Sequence, residues 1–319
     1  GQWSNYLNSG PFYPPLYDVA TAGLFRIIGV SLFAARFVSV IFGILSIWTL
    51  FELANPLYGS KVALVSAILL GIMPGFVWLS RLSMIETMLL FFFLLSLLFF
   101  YKWIKTKSLK YIFFSGIVLG LGFLSKYQAI VGILIVIISL LIIVHARKKE
   151  KLITLTALIL VVTLIALPWF LLTYRVYASG TLDQWIYALQ MGNPQKSVYS
   201  LSFPAPVFYF IAITWPYGFY GFAPVSIFIY IFALAGLLLF GWRRRVEDNF
   251  LLIWFFTAYS FFTLVGNKDW RYVVLVFPVL AISASNIIVF SFKKYFKIKA
   301  STKKGIKGKY ASVFLIALV

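Results

Sequence analysis

Residues Ser80-Arg81-Leu82-Ser83-Met84-Ile85-Glu86 form a short polar gap. Behind it, residues 88–100 hold one polar side chain, Ser96, among leucines and phenylalanines. From 86 to 103 this run has about the length of a helix that crosses a bilayer, roughly 18–20 residues. The same pattern recurs along the chain, and that recurrence decides the fold. Further spans are read at 33–54, 62–79, 109–125, 127–145, 152–173, 222–241, 249–266 and 271–291, with another starting at 310. The chain is 319 residues long, 62% hydrophobic and 11% charged, where a soluble domain carries about 25% charge. Helical spans satisfy their backbone polar groups within their own segment. The alternating ten-residue segments of a membrane β-barrel are absent. The expected class is all-α, a polytopic transmembrane helical bundle of about 9–10 spans.

The basic residues fix the expected orientation. Of the 28 Lys and Arg, twenty fall in one set of alternate gaps: Lys61, Lys102, Lys105, Lys107, Lys110, Arg147, Lys148, Lys149, Lys151, Arg243, Arg244, Arg245 and the eight lysines of 293–309. The other eight are Arg26, Arg36, Arg81, Lys126, Arg175, Lys196, Lys268 and Arg271. The positive-inside rule makes the first set cytoplasmic. The net charge of +20 is therefore a topology signal, with contact to anionic membrane lipid, and nucleic acid is not an expected partner. The chain has no cysteine, which excludes disulfides, thiolate catalysis and Cys-ligated metals. The single histidine, His145, lies in a basic inner loop and reads as a solvated residue.

Counting 203–215 as a span would place Arg243–Arg245 outside, so that stretch is read as an interfacial or re-entrant helix. Residues 1–32 form a first outer loop, 33–319 the transmembrane domain, 175–221 a second outer loop and 292–309 a basic cytoplasmic loop. In the first loop Leu16, Val19, Ala20, Gly23, Leu24, Ile27 and Ile28 share one helical stripe, with Asp18 and Arg26 opposite. Pro14-Pro15 suits a helix start, and an amphipathic helix on the outer leaflet follows.

Charge at a membrane edge costs several kcal/mol without a partner or water, which marks such residues as functional candidates. Four carboxylates fall outside: Asp18, Glu86, Asp183 and Asp269. Arg81 and Glu86 are five apart, which is not helical pair spacing, so the gap reads as a turn that ends one helix and starts the next. Glu86 is then either a helix N-terminal charge or a functional carboxylate. Lys126 follows a glycine-rich helix (Gly116, Gly120, Gly122) able to approach a neighbour closely. It is either a snorkelling anchor or drawn below the outer surface. Lys268-Asp269-Trp270-Arg271-Tyr272 is either an interfacial anchor belt or a phosphate clamp, Lys and Arg being the groups that hold phosphate.

In order along the chain stand Pro14-Pro15-Leu16-Tyr17, Gly29-Val30-Ser31-Leu32-Phe33-Ala34-Ala35-Arg36, Leu57-Tyr58-Gly59, Ser80-Arg81 with Glu86, Leu124-Ser125-Lys126-Tyr127 and Lys268 with Arg271-Tyr272. Across about residues 10–290 this order resembles the GT-C glycosyltransferases. It is most similar to the dolichyl-phosphate-mannose–protein mannosyltransferases and the aminoarabinose transferases of lipid A. The resemblance implies an inverting transferase in the cell membrane with its active site on the outer face. Its partners would be a polyprenyl- or dolichyl-phosphate-linked sugar and a lipid or protein acceptor. It implies Glu86 as a supporting, acceptor-orienting carboxylate and Arg81, Lys126, Lys268 and Arg271 as donor-phosphate ligands. Tyr13, Pro14, Pro15, Asp18, Asp269 and Tyr272 are pocket candidates. Such families carry their main base in an Asp-Glu pair ahead of the Pro-Pro-Leu motif. No acidic residue precedes Asp18. The chain is therefore expected to be a fragment, with that pair and the main base upstream of Gly1. No metal ligand set is assigned, and a divalent-metal requirement stays open. Phe12-Tyr13 stands where the lipid A enzymes carry Glu-Lys, and Glu86 where Asp is commoner, so the acceptor is not fixed. The alternatives are a transporter or flippase of a lipid-linked sugar, which would show inverted repeats and broken midplane helices, and a non-catalytic membrane subunit.

Overall fold

The computed structural model describes residues 14–177, 204–214, 222–266 and 268–302, with the side chains of the last helix described to 291. The helices are α1 Leu16–Ile28, α2 Leu32–Tyr58, α3 Ser60–Ile72, α4 Pro74–Arg81, α5 Glu86–Thr106, α6 Leu109–Ser125, α7 Ile130–Ile142, α8 Lys148–Tyr177, α9 Ala205–Ala212, α10 Ile227–Arg243, α11 Val246–Leu264 and α12 Phe277–Thr302. Tight 3₁₀ turns at Tyr127–Ala129 and Trp270–Val276 lead into α7 and α12. No strand occurs among the described residues, as the all-α reading requires.

Leucine-rich stretches become helices that are apolar all round, so each finds neighbours on several sides. α5 lies between α2 and α6, α6 against α8, and α12 between α3 and α10. One core runs through the bundle, from Leu50 and Leu53 through Phe93, Phe100 and Trp254 to Leu280. Four described helical segments are long and apolar enough to cross a membrane, or five if the bent pair α3–α4 is one span; three further apolar helices are shorter.

The expected single span 62–79 is broken. α3 ends at Ile72 and α4 begins at Pro74, with a 63° bend between them. Proline lacks the N–H that would continue α3 and suits the first position of a new helix. Gly75 follows, and its N–H donates to Pro224 O at 2.8 Å. A Cβ there would lie 2.9 Å from that oxygen, so only glycine allows the contact. The bend sends α4 toward Trp270 and delivers the 82–85 turn to the start of α5.

Two other expectations meet the structure directly. α9 is eight residues long, too short to span a bilayer. α12 runs on to Thr302, into the stretch expected to be a basic loop. The glycines of α6 work as anticipated. Cβ atoms at Gly116 and Gly120 would lie 2.8 Å from Val161 and 2.7 Å from Ile165, so the α6 backbone packs directly against these α8 side chains.

The gaps gather at two ends. At one, Tyr58 Oη donates to Asp248 Oδ1 (2.7 Å), Arg243 Nε to Asp248 Oδ2 (2.7 Å) and Lys105 Nζ to Glu247 Oε1 (2.9 Å). These residues come from three of the gaps that the charge count groups together. At the other end stand Glu86, Lys126, Lys268 and Arg271.

Candidate functional site

Glu86 opens α5 and is 3% exposed; Lys126, at the end of α6, is 4% exposed. Lys126 Nζ donates to Glu86 Oε1 at 2.8 Å, across forty residues of chain. Arg81 is the nearer cation in sequence. It ends α4, is exposed, and makes no ion pair among the described residues. The sharp turn at 82–85 separates it from Glu86, as the spacing of five suggested. Glu86 therefore has a specific through-space partner and is more than a helix-start charge. Its second oxygen, Oε2, is buried without a hydrogen-bond partner among the described residues. Buried carboxylate oxygens are rarely left so, and each instance calls for an explanation.

Lys126 is held from a second side. Its ammonium lies 5.3 Å from the centre of the Tyr272 ring, within cation–π range. Tyr272 is brought there by the 3₁₀ turn that follows Asp269. The Asp269 side chain starts that turn: Oδ1 accepts from Arg271 N at 2.9 Å, while Oδ2 accepts from Arg271 Nε (2.9 Å) and Nη2 (2.5 Å). Arg271 is thus fixed in direction while its side chain stays 30% exposed. It is next in sequence to Tyr272, whose ring faces the Lys126 ammonium. Glu86, Lys126, Tyr272, Arg271 and Asp269 form one cluster built from α5, α6 and the turn before α12.

Lys268 does something else. Its ammonium donates to the carbonyls of Phe262 (2.8 Å), Thr263 and Val265 (2.5 Å). Three donors meet three carbonyls that end α11 and lack helical N–H partners. Burial lowers the Lys268 pKa. The structure gives this residue the duty of terminating α11. The sequence carried a signal for it: a lysine a few residues past a helix end suits the negative pole of the helix.

The remaining candidates divide. Pro14 is buried and Pro15 half-buried at the start of α1, and Asp18 is exposed on its far face. Tyr13 and Asp183 lie outside the described residues. So does Gly1. Tyr17, quoted above only as part of a motif, is buried, and its hydroxyl lies 2.8 Å from Ser39 Oγ and 3.1 Å from Ser83 Oγ. Sequence reading missed that duty, because a tyrosine in an amphipathic helix carries no mark of what its hydroxyl will meet. Among the described residues no group of three or more His, Cys, Asp or Glu is placed to hold a metal ion.

A mostly apolar groove of about 610 Å³ lies between α7 and α11. Leu134, Ile138 and Ile142 form one wall, and Ile253, Phe256, Phe261 and Leu264 much of the other. α7 begins just after Lys126, and α11 ends just before Lys268. By chain direction, the groove's Leu134–Leu264 end is the one nearest the cation cluster.

A family profile described as "Dolichyl-phosphate-mannose-protein mannosyltransferase" matches residues 13–171. A protein of Aquifex aeolicus, described only as uncharacterized, is 26% identical over 298 residues, covering 89% of this chain and 57% of its own length. The undecaprenyl phosphate-alpha-4-amino-4-deoxy-L-arabinose arabinosyl transferase of Serratia proteamaculans is 25% identical over 212 residues, covering 64% of this chain and 35% of its own. The chain thus spans at most little more than half the length of these curated relatives. Among solved structures, ArnT from Cupriavidus metallidurans in the apo state superposes with a TM-score of 0.66 at 18% identity, over 92% of this chain and 53% of ArnT. The same protein bound to undecaprenyl phosphate gives 0.65. At that identity the likeness is one of fold.

Proposed function

We propose that this chain, GT-C in type by sequence and fold, works in a membrane glycosyltransferase. It would move a sugar from a polyprenyl- or dolichyl-phosphate donor to a lipid or protein acceptor, on the extracytoplasmic side and with inversion. One observation carries the reading: a buried carboxylate, Glu86, with Oε1 locked on Lys126 and Oε2 left as an acceptor, beside a partly exposed and rigidly aimed arginine. A hydroxyl or amide N–H of the sugar acceptor suits Oε2, where it would satisfy a buried oxygen that is otherwise costly. Lys126 holds Glu86 in place, so Glu86 orients the acceptor. The role of base stays with the Asp-Glu pair that the resemblance assigns to such families.

Of the four phosphate candidates, Arg271 and Arg81 keep contact with solvent while Lys126 and Lys268 are buried, and we assign the donor phosphate to the two arginines. In the transfer the acceptor oxygen forms its bond to the anomeric carbon on the face opposite the phosphate. The carbon–phosphate-oxygen bond breaks, its electron pair stays on the phosphate, and the acceptor proton passes to the base. Charge builds on the phosphate as that bond breaks, and an arginine fixed beforehand stabilises it there. The groove between α7 and α11 would take the isoprenoid chain: it is mostly apolar and ends near the cation cluster. The names of the matching family and of the Serratia relative support this donor class.

The test uses the complete protein in lipid nanodiscs with an undecaprenyl-phosphate hexose, following release of undecaprenyl phosphate. Wild-type protein should release it. Arg271→Gln should do so about 10- to 100-fold less efficiently, the worth of a hydrogen bond to a charged group. No release by the wild type with any hexose donor and acceptor extract would refute the reading.

A further inference from the structure

Tyr17 sits in α1, away from the cations, yet its hydroxyl reaches the turn that presents Glu86. Ser39 of α2 is fully buried. Its Oγ donates to Met84 O (2.9 Å) and accepts from Met84 N–H (3.0 Å). A serine hydroxyl has one hydrogen, which Ser39 gives to Met84 O. Tyr17 is then the donor to Ser39 at 2.8 Å, a shorter contact than its other acceptor, Ala35 O at 3.4 Å. The Tyr17 oxygen then accepts from the Ser83 hydroxyl at 3.1 Å. The order of the chain of bonds follows: Ser83 to Tyr17 to Ser39 to Met84. Both ends of this relay lie in the 82–85 turn, within three residues of Glu86. Below it, Tyr17 and Met88 share a small apolar cluster with Val38, against which Leu16, Ala20, Leu24 and Ile85 pack.

α1 has a second face. Val19 and Ile27, two members of the apolar stripe expected on the outer leaflet, are 48% and 80% exposed. The helix thus grips the bundle through Tyr17, Ala20 and Leu24 and shows other apolar side chains outward, as a helix lying on a membrane surface does. We infer that Tyr17 is a positioning residue: it ties the setting of the surface helix α1 to the 82–85 turn, and through that turn to Glu86. Movement of α1 at the lipid surface would then be felt by the carboxylate. The inference rests on the functional reading above only for what Glu86 does.

The experiment compares wild type, Tyr17→Phe, Glu86→Gln and the double variant of the complete protein in nanodiscs. Two quantities are read: hydrogen exchange of peptides covering 82–87, and release of undecaprenyl phosphate from an undecaprenyl-phosphate hexose. Tyr17→Phe keeps the ring and its packing and removes only the hydroxyl. It should raise exchange at 82–87 about 3- to 10-fold, the loss of one net buried hydrogen bond, with the thermal midpoint and exchange of α10–α12 unchanged. It should lower kcat by a similar factor with little change in KM for the donor. The double variant should turn over no more slowly than Glu86→Gln alone, because Tyr17 acts through Glu86. Unchanged exchange at 82–87 overturns the inference, and so do fully additive losses. Wild-type turnover by Glu86→Gln would refute the catalytic reading of Glu86 instead. Exchange at 82–87 would then decide on the tie between α1 and the turn by itself.

Discussion

Removing Lys126 should damage this protein more than removing both members of its ion pair. The two charges are 2.8 Å apart, which corresponds to an attraction of about 6 kcal/mol at an effective dielectric of about 20. Desolvation of each ion opposes this by several kcal/mol, so the intact pair is close to neutral for stability. Lys126→Met leaves Glu86 buried without its counter-charge, so it must carry an unpaired charge or take up a proton, at about 3–5 kcal/mol. Glu86→Gln leaves Lys126 buried, but the Tyr272 ring still holds it, and contacts of that kind are worth about 2 kcal/mol when desolvated. That single change should cost less, about 2–3 kcal/mol. The double variant Glu86→Gln/Lys126→Met has no unpaired charge and should come within about 1–2 kcal/mol of wild type, a coupling of several kcal/mol. Reversible unfolding in mixed micelles, followed by tryptophan fluorescence, measures all four proteins. Additive losses, or a Lys126→Met protein as stable as wild type, would refute the reasoning.

Other substitutions test the packing. Gly236→Ala would drive a Cβ into the Ser283 carbonyl, well inside van der Waals contact, forcing α10 from α12; a loss of about 1–3 kcal/mol is expected in the same unfolding assay. Gly23→Ala in α1 meets nothing within 4 Å and should stabilise by about 0.5–1 kcal/mol by removing glycine's chain entropy. Asp248 is fully buried and accepts from Arg243, Tyr58 and the Arg245 backbone. Asp248→Ala should cost about 3–5 kcal/mol by leaving Arg243 and Tyr58 without their acceptor, whereas Tyr58→Phe should cost about 1 kcal/mol.

Much of this architecture was legible because lipid permits few solutions. Apolar runs located α2, α5, α6, α8, α11 and α12 to within a few residues, except that α12 extends further. The turn between Arg81 and Glu86 followed from a spacing that fits no helical pair. The break at Met73-Pro74-Gly75 was written in the sequence too. It was hidden because the run from 62 to 79 stays hydrophobic across the proline, and hydrophobicity says nothing of direction.

The site was less legible. Outer-edge charges could be named one by one, but their pairing is a matter of which helices are neighbours. Lys126 and Glu86 meet because α6 packs on α5, and no local spacing encodes that. Lys268 and Arg271, three residues apart, look alike in sequence. One ends α11 and the other is braced by Asp269, a difference set by where α11 stops. Tyr17 shows the limit most clearly, since its hydroxyl matters only through Ser39, twenty-two residues on, and Ser83, sixty-six on.

The account's central claim is that the carboxylate at the start of α5 serves sugar transfer from a lipid phosphate. The most direct measurement is turnover of an undecaprenyl-phosphate hexose by the complete protein with Glu86→Gln, beside wild type in the same nanodiscs. The account predicts a fall in kcat of about 10²-fold, the range for a group acting on the proton or position of a reacting hydroxyl, with donor KM little changed. Equal kcat in a folded Glu86→Gln protein would contradict it.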